Sequence, residues 1–288
     1  MEERVLVTGS RAKKKVFLYK SIRMTTEQQG QYALVNGIKM YYEIHGSGQP
    51  LVLIHGAAST IESNFGRILP ALASRHRVIA VELQGHGHTA DRDAPFLFTQ
   101  DADDVAALLQ QLNIKKADIF GFSNGGTTSI YLALRHPQLV NRLVLASTTS
   151  RRSGMQPAFW EGMMAHPTID GMPEGLKDAF RKANPDPQAL QNLFDKCVVR
   201  MQTFTDISND DLRSIQAPAL IILGDAEVVR AEHAVEMART LPHAKLAIIP
   251  GEHGAYIGEA CSAIEGSRVP ELAVELIEEF LADGPANL

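Results

Sequence analysis

Gly121-Phe122-Ser123-Asn124-Gly125 constrains this chain more than any other five residues. Ala117-Asp118-Ile119-Phe120 precedes it as a short buried strand, and Gly126 to Arg135 follows as a helix that ends at His136-Pro137. A serine on a sharp strand-to-helix turn needs glycine on both sides, so that two backbones can pass close to a strained central residue. The turn then lifts the Ser123 hydroxyl above the sheet. G-x-S-x-G is common by itself; the flanking strand and helix are what make Ser123 a candidate nucleophile.

From about residue 31 the chain alternates strands and helices. Gln31–Val35 and Ile38–Ile44 predict a hairpin turning on Asn36-Gly37. Leu51-Val52-Leu53-Ile54 is continuously apolar, as a strand covered on both faces requires. Phe65 to Ser74 predicts a helix, Arg77 to Val81 a strand, and Thr99 to Leu112 a helix with Val105, Leu108, Leu109 and Leu112 at helical spacing. Arg142 to Ala146 is the next strand. Strand character then stops until Ala219–Leu223, which leads to a helix over Ala231–Thr240, a strand over Lys245–Ile249 and a helix from Pro270 to Leu281. The expected architecture is α/β, a mostly parallel sheet flanked by helices, with residues 31–147 and 215–288 as the core and 148–214 as a helical insertion. Residues 1–30 form a basic leader (Arg11, Lys13, Lys14, Lys15, Lys20, Arg23) expected to be poorly ordered.

At 288 residues the chain can bury one large core. A net charge of −5 gives no footprint for nucleic acid, and no apolar run approaches a membrane span of about 20 residues. Cys197 and Cys261 make neither a disulfide framework nor a metal pattern, which points to a reducing compartment, the cytoplasm. His86 and His88, in Gln84-Gly85-His86-Gly87-His88, lack the partners of a metal site and are expected in a tight loop. Neither metal nor cofactor is expected. The partner is a small-molecule substrate; a homo-oligomer is compatible with the sequence, which does not set the oligomeric state.

Serine needs a base, and the base needs an orienting carboxylate. Each should follow a strand end. Asp225 and Glu227, after Ala219–Leu223, are both candidate acids, and the one not used serves as a turn or capping carboxylate. His253, in Gly251-Glu252-His253-Gly254, is the candidate base, with His243 as the alternative. Oxyanion donors are expected from the amides of Asn124 and of Ala57, the latter in His55-Gly56-Ala57-Ala58 after an earlier strand. His55 itself is expected to be a structural hydrogen-bonder.

Together these residues resemble the α/β-hydrolase fold family, in its smaller members with a helical cap, over about Gln31 to Phe280. The resemblance implies Ser123, an acid and His253 as a triad. In that family the acid commonly takes the fourth place of a G-x-x-D pattern, which falls on Glu227, with glutamate where aspartate is usual; Asp225 stays the alternative. Glu82-Leu83-Gln84-Gly85-His86-Gly87-His88-Thr89 also departs from the family's D-x-R-G-x-G-x-S. The implied activity is serine-dependent hydrolysis of a small carboxylic ester or lactone through an acyl-enzyme. A nucleophilic serine sets the chain apart from relatives that use aspartate, the haloalkane dehalogenases and epoxide hydrolases. The alternatives are a non-catalytic or very slow small-molecule receptor on the same fold, and a C–C bond hydrolase or cofactor-free haloperoxidase-like enzyme. Phe122, Phe159, Trp160 and Met163, with Met155 and Met164 nearby, predict an apolar substrate pocket; the competing expectation is that the stripe simply packs the cap onto the core. Arg151 and Arg152 are expected as a solvated pair at the hinge of the insertion.

Overall fold

The computed structural model describes residues 30–282. The basic leader expected over 1–30 lies, apart from Gly30, outside the described residues. Gln31–Val35 (β1) and Ile38–His45 (β2) pair antiparallel around Asn36 and Gly37, whose φ values of 43° and 85° are those a two-residue primed turn requires. Pro50–Ile54 (β3) follows, then two short helices, Ile61–Phe65 (α1) and Leu69–Ala73 (α2), instead of the single helix expected over Phe65–Ser74. Pro70 is the reason. A helix running through it would drive the pyrrolidine ring into the Gly66 carbonyl, whereas in the first turn of a new helix proline is tolerated.

Arg77–Val81 (β4), Phe98–Gln111 (α3), Ala117–Phe122 (β5), Asn124–Arg135 (α4) and Val140–Ala146 (β6) continue the alternation. Residues 148–214 contain helices and no named strand: Glu174–Ala183 (α5), Pro187–Gln202 (α6) and Asn209–Ser214 (α7). Ala219–Ala226 (β7), Ala231–Thr240 (α8), Ala244–Glu252 (β8) and Val269–Ala282 (α9) complete the described chain. The eight strands lie in the order β1-β2-β4-β3-β5-β6-β7-β8. β1–β2 and β2–β4 pair antiparallel, and every other pairing is parallel.

The apolar runs sort by parity. Val52 and Ile54 join Ile119, Leu143 and Leu145 beneath α3 and α4, while Leu51 and Leu53 join Phe120, Val144 and Ile222 beneath α1, α2 and α9. Alternate side chains of one strand thus enter two cores, so both faces select apolar residues. Each such leucine or isoleucine contributes about 1.5–3 kcal/mol by leaving water.

The helical insertion is anchored by charge as well as by apolar packing. Phe180, Leu190, Leu193 and Cys197 of α5 and α6 cluster with Ala58, Phe96 and Met172. Arg200 of α6 forms an ion pair with Asp101 of α3 at 2.8 Å, at an angle short of a hydrogen bond, with both side chains at most 2% exposed. Its guanidinium also lies 5.0 and 4.9 Å from the Phe96 and Phe98 ring centroids. Nearer the middle of α6, Lys196 Nζ reaches Asp91 Oδ2 at 2.6 Å. Among the described residues no helix is long and apolar enough to cross a membrane.

Candidate active site

Ser123 sits between β5 and α4 with φ 53° and ψ −119°, a backbone state that costs an ordinary side chain about 1–3 kcal/mol. The surroundings impose it. The Ser123 N–H donates to Ala146 O at 2.8 Å on the neighbouring strand. A Cβ on Gly121 would fall 2.2 Å from Gly125 O, and one on Gly125 would fall 2.1 Å from Ile54 O. Only glycine lets strand and helix approach that closely.

His253 follows β8, and its ring lies 4.8 Å from that of Phe122, the residue before Ser123. Its Nδ1 is 2.7 Å from Glu227 Oε2. A carboxylate only accepts, so Nδ1 carries a proton, and in the neutral ring the lone pair is then on Nε2. Glu227 also takes the Val228 N–H on Oε2 at 3.0 Å and the Ser147 hydroxyl on Oε1. Burial pushes the Glu227 pKa up, but the hydrogen bonds from His253 and Ser147 outweigh it and hold the carboxyl below its ordinary value. Asp225, the other candidate acid, is exposed and accepts the Gly251 N–H at 2.8 Å. It braces the adjoining loop and does not meet His253.

The loop after β3 is held by its neighbours. Gly56 N–H donates to Asn64 Oδ1 at 2.6 Å, and Ala58 N–H donates to His86 Nε2 at 3.1 Å, so both amides flanking Ala57 are engaged. A Cβ on Gly56 would lie 3.2 Å from Ser123 Cβ, which sets this loop directly against the serine. Asn124, first residue of α4, has no preceding turn whose carbonyl could take its N–H. His86 is fully buried, donates from Nδ1 to Gln84 O at 2.8 Å, and is kept neutral because burial drives its pKa well down. His55 likewise spans Gly56 O and the Leu83 N–H. Among the described residues no group of three or more His, Cys, Asp or Glu converges as metal ligands. His86→Phe keeps a ring and removes the acceptor. We expect the orphaned Ala58 amide to cost about 1–3 kcal/mol, read as a lower urea midpoint with unchanged m.

The expected apolar pocket needs correction. Phe122 is buried, wedged against His253, Gly56 and Gly254, and backs the histidine instead of facing open space. Phe159 and Trp160 are partly buried against the core, and the Trp160 indole donates to Arg152 O at 3.0 Å beneath the Arg152 guanidinium. Met163 ends a π-helical turn, Phe159–Met163, and is 58% exposed. Of the expected solvated pair, Arg152 is exposed, with its backbone N–H on Asp206 Oδ1 at 2.6 Å, whereas the half-buried Arg151 is braced by Nη2 donating to Asn209 Oδ1 at 2.5 Å. The insertion's apolar surface against the Ala57–Ala58 loop comes instead from Phe180, Leu190, Leu193 and Cys197. A cleft of about 270 Å³ opens by Tyr32, Lys39, His88 and Asn192, but Ser123, Glu227 and His253 do not line it. Sequence reasoning also missed Ser147 and Tyr256, whose only signals were position, one at the end of β6 and one three residues past His253.

Residues 49–171 match the model of a family described as alpha/beta hydrolase fold. The chain is 34% identical over 140 residues to a 2-hydroxymuconate semialdehyde hydrolase of Pseudomonas sp. (strain CF600), a match covering 47% of this chain and 48% of that one. The match thus spans about half the length of that relative. It is 26% identical over 244 residues to serine hydrolase BPHL of Homo sapiens, covering 77% and 79% of the two chains. Among solved structures, a serine hydrolase involved in carbazole degradation (CarC enzyme) superposes with TM-score 0.70 at 25% identity, over 88% of this chain and 98% of that one.

Proposed function

This chain belongs to the α/β-hydrolase fold family, and from that premise we propose that it is a serine hydrolase acting on a small carboxylic ester or lactone through an acyl-enzyme. One observation carries the reading: Glu227 fixes the proton of His253 on Nδ1, beside the turn that strains Ser123 into place. In the proposed reaction His253 Nε2 takes the Ser123 proton as the hydroxyl attacks the carbonyl, and returns it to the leaving oxygen. Glu227 stays ionised, orients the ring and stabilises the imidazolium. The Ala57 and Asn124 amides receive the developing oxyanion. The residues at 148–214 act as the cap and shape the acyl or alcohol site, with Phe180, Leu193 and Cys197 in one apolar cluster with Ala58 of the oxyanion loop.

The test is covalent. A fluorophosphonate should label the purified protein stoichiometrically at Ser123, mapped by peptide mass spectrometry, and the His253→Ala protein should label far more slowly. Folded protein that stays unlabelled would move the reading to a small-molecule binder. The acid assignment has its own check in a pair of variants. Glu227→Gln should lower kcat on a p-nitrophenyl ester by about 10³–10⁴-fold, because an amide favours the wrong histidine tautomer. Asp225→Asn should leave kcat essentially unchanged. The reverse ranking would transfer the role to Asp225.

A further inference from the structure

Beyond His253 lies a run of buried hydroxyls that the reaction itself does not call for. Ser147 follows β6, and its side chain donates to Glu227 Oε1. Its Oγ is 2.7 Å from the hydroxyl of Tyr256, which in turn lies 3.2 Å from Ile222 O. The direction of each bond follows from valence. An ionised carboxylate cannot donate, so the one Ser147 proton goes to Glu227; Tyr256 must then supply the proton between the two hydroxyls, with Ile222 O as a second acceptor. Tyr256 is fully buried, and burial raises its pKa, so that proton stays in place.

Two features argue that this is more than ordinary satisfaction of buried groups. Ser147 adopts φ 48°, the left-handed region, and is held there by its N–H on Ile222 O at 2.8 Å. Glycine would take that backbone without strain but would bring no hydroxyl. And glutamate is a long arm. Relative to aspartate it carries one more rotatable bond, whose freedom must be removed before its carboxylate can hold an imidazole in one orientation.

We propose that Ser147 and Tyr256 are positioning residues for Glu227, a hydroxyl brace that fixes the longer acid against His253. The inference rests on the catalytic reading above and names two side chains that never meet the substrate. No proton moves along the brace during turnover. Its work is to hold one carboxylate oxygen so that the other faces His253 Nδ1.

The decisive variant is Ser147→Gly, which relieves the backbone and deletes the hydroxyl together. We expect kcat on a p-nitrophenyl ester to fall about 10- to 100-fold with KM little changed, while the melting temperature falls by only a few degrees, relief of the left-handed backbone offsetting part of the lost hydrogen bonding. Tyr256→Phe should give a smaller loss of the same kind. In a Glu227→Asp background the shorter arm falls short of Ser147, so adding Ser147→Gly should cost almost nothing further, a non-additivity that a merely structural residue would not show. Folded Ser147→Gly protein with wild-type kcat, or equal losses in both backgrounds, overturns the brace. His253→Ala is the control that separates the two ideas. If that variant turns over like wild type, the catalytic reading fails and the brace falls with it; if it is dead while Ser147→Gly is fully active, only the brace fails.

Discussion

Ser123→Ala should abolish fluorophosphonate labelling and lower ester turnover by about 10⁴–10⁶-fold, with the fold intact. The size follows from what the alanine removes: no nearby group replaces the attacking oxygen, and the reaction falls back on water in a site shaped for a tetrahedral intermediate. His253→Ala should cost nearly as much, and the double variant little more than either alone, since base and nucleophile act as one unit. Stability should move the other way or not at all. Alanine keeps the β-carbon that the turn already accommodates at φ 53°, and the backbone bond to Ala146 O remains. A Ser123→Ala protein that is folded by circular dichroism but retains more than a few per cent of turnover would end the acyl-enzyme proposal.

The second large effect concerns stability, at the ion pair between α6 and α3. Arg200→Met should destabilise the protein by about 3–5 kcal/mol, because it leaves the Asp101 carboxylate buried without a counter-charge. Burial already raises the Asp101 pKa against the opposing pull of Arg200, so removal of the guanidinium pushes that group further toward its protonated form. Arg200→Met combined with Asp101→Leu should recover most of the loss, since two apolar side chains can fill the space without either desolvation penalty. Urea unfolding of the three proteins measures this directly. Equal destabilisation in the single and double variants would mean that the stacking of Arg200 on Phe96 and Phe98, and not its charge, holds the helix.

What could be read from the sequence divides along physical lines. The core strands were legible because strands buried on both faces are continuously apolar, and the serine turn because its glycines are demanded by backbone contact at Gly121 and Gly125. Proline at position 70 broke a helix that apolar spacing alone had joined. The choice between Asp225 and Glu227 depended on something no pattern of alternation carries: the β7–β8 pairing shifts register between Gly224 and Ala226, which leaves Asp225 on the Gly251 amide and Glu227 on His253. The expected pocket failed for a related reason. Methionines and aromatics near residue 160 announce an apolar stripe, but which part of the insertion packs with the Ala57–Ala58 loop is settled by tertiary packing, and the cluster that includes Ala58 draws on α5 and α6. Ser147 was invisible because a serine is ordinary until its neighbours are known.

Among the described residues β8 lies at the outer edge of the sheet and pairs only with β7. That placement gives the proposed chemistry a schedule. Ser123 and the oxyanion loop belong to strands from the sheet's interior and the first half of the chain, whereas Glu227 arrives on the next-to-last strand and His253 on the last. On the proposed reading, the serine stays an ordinary alcohol as the chain leaves the ribosome until the edge strand has docked. Activity becomes a late event in the molecule's birth, and its onset in a refolding experiment is a clock for the docking of β8.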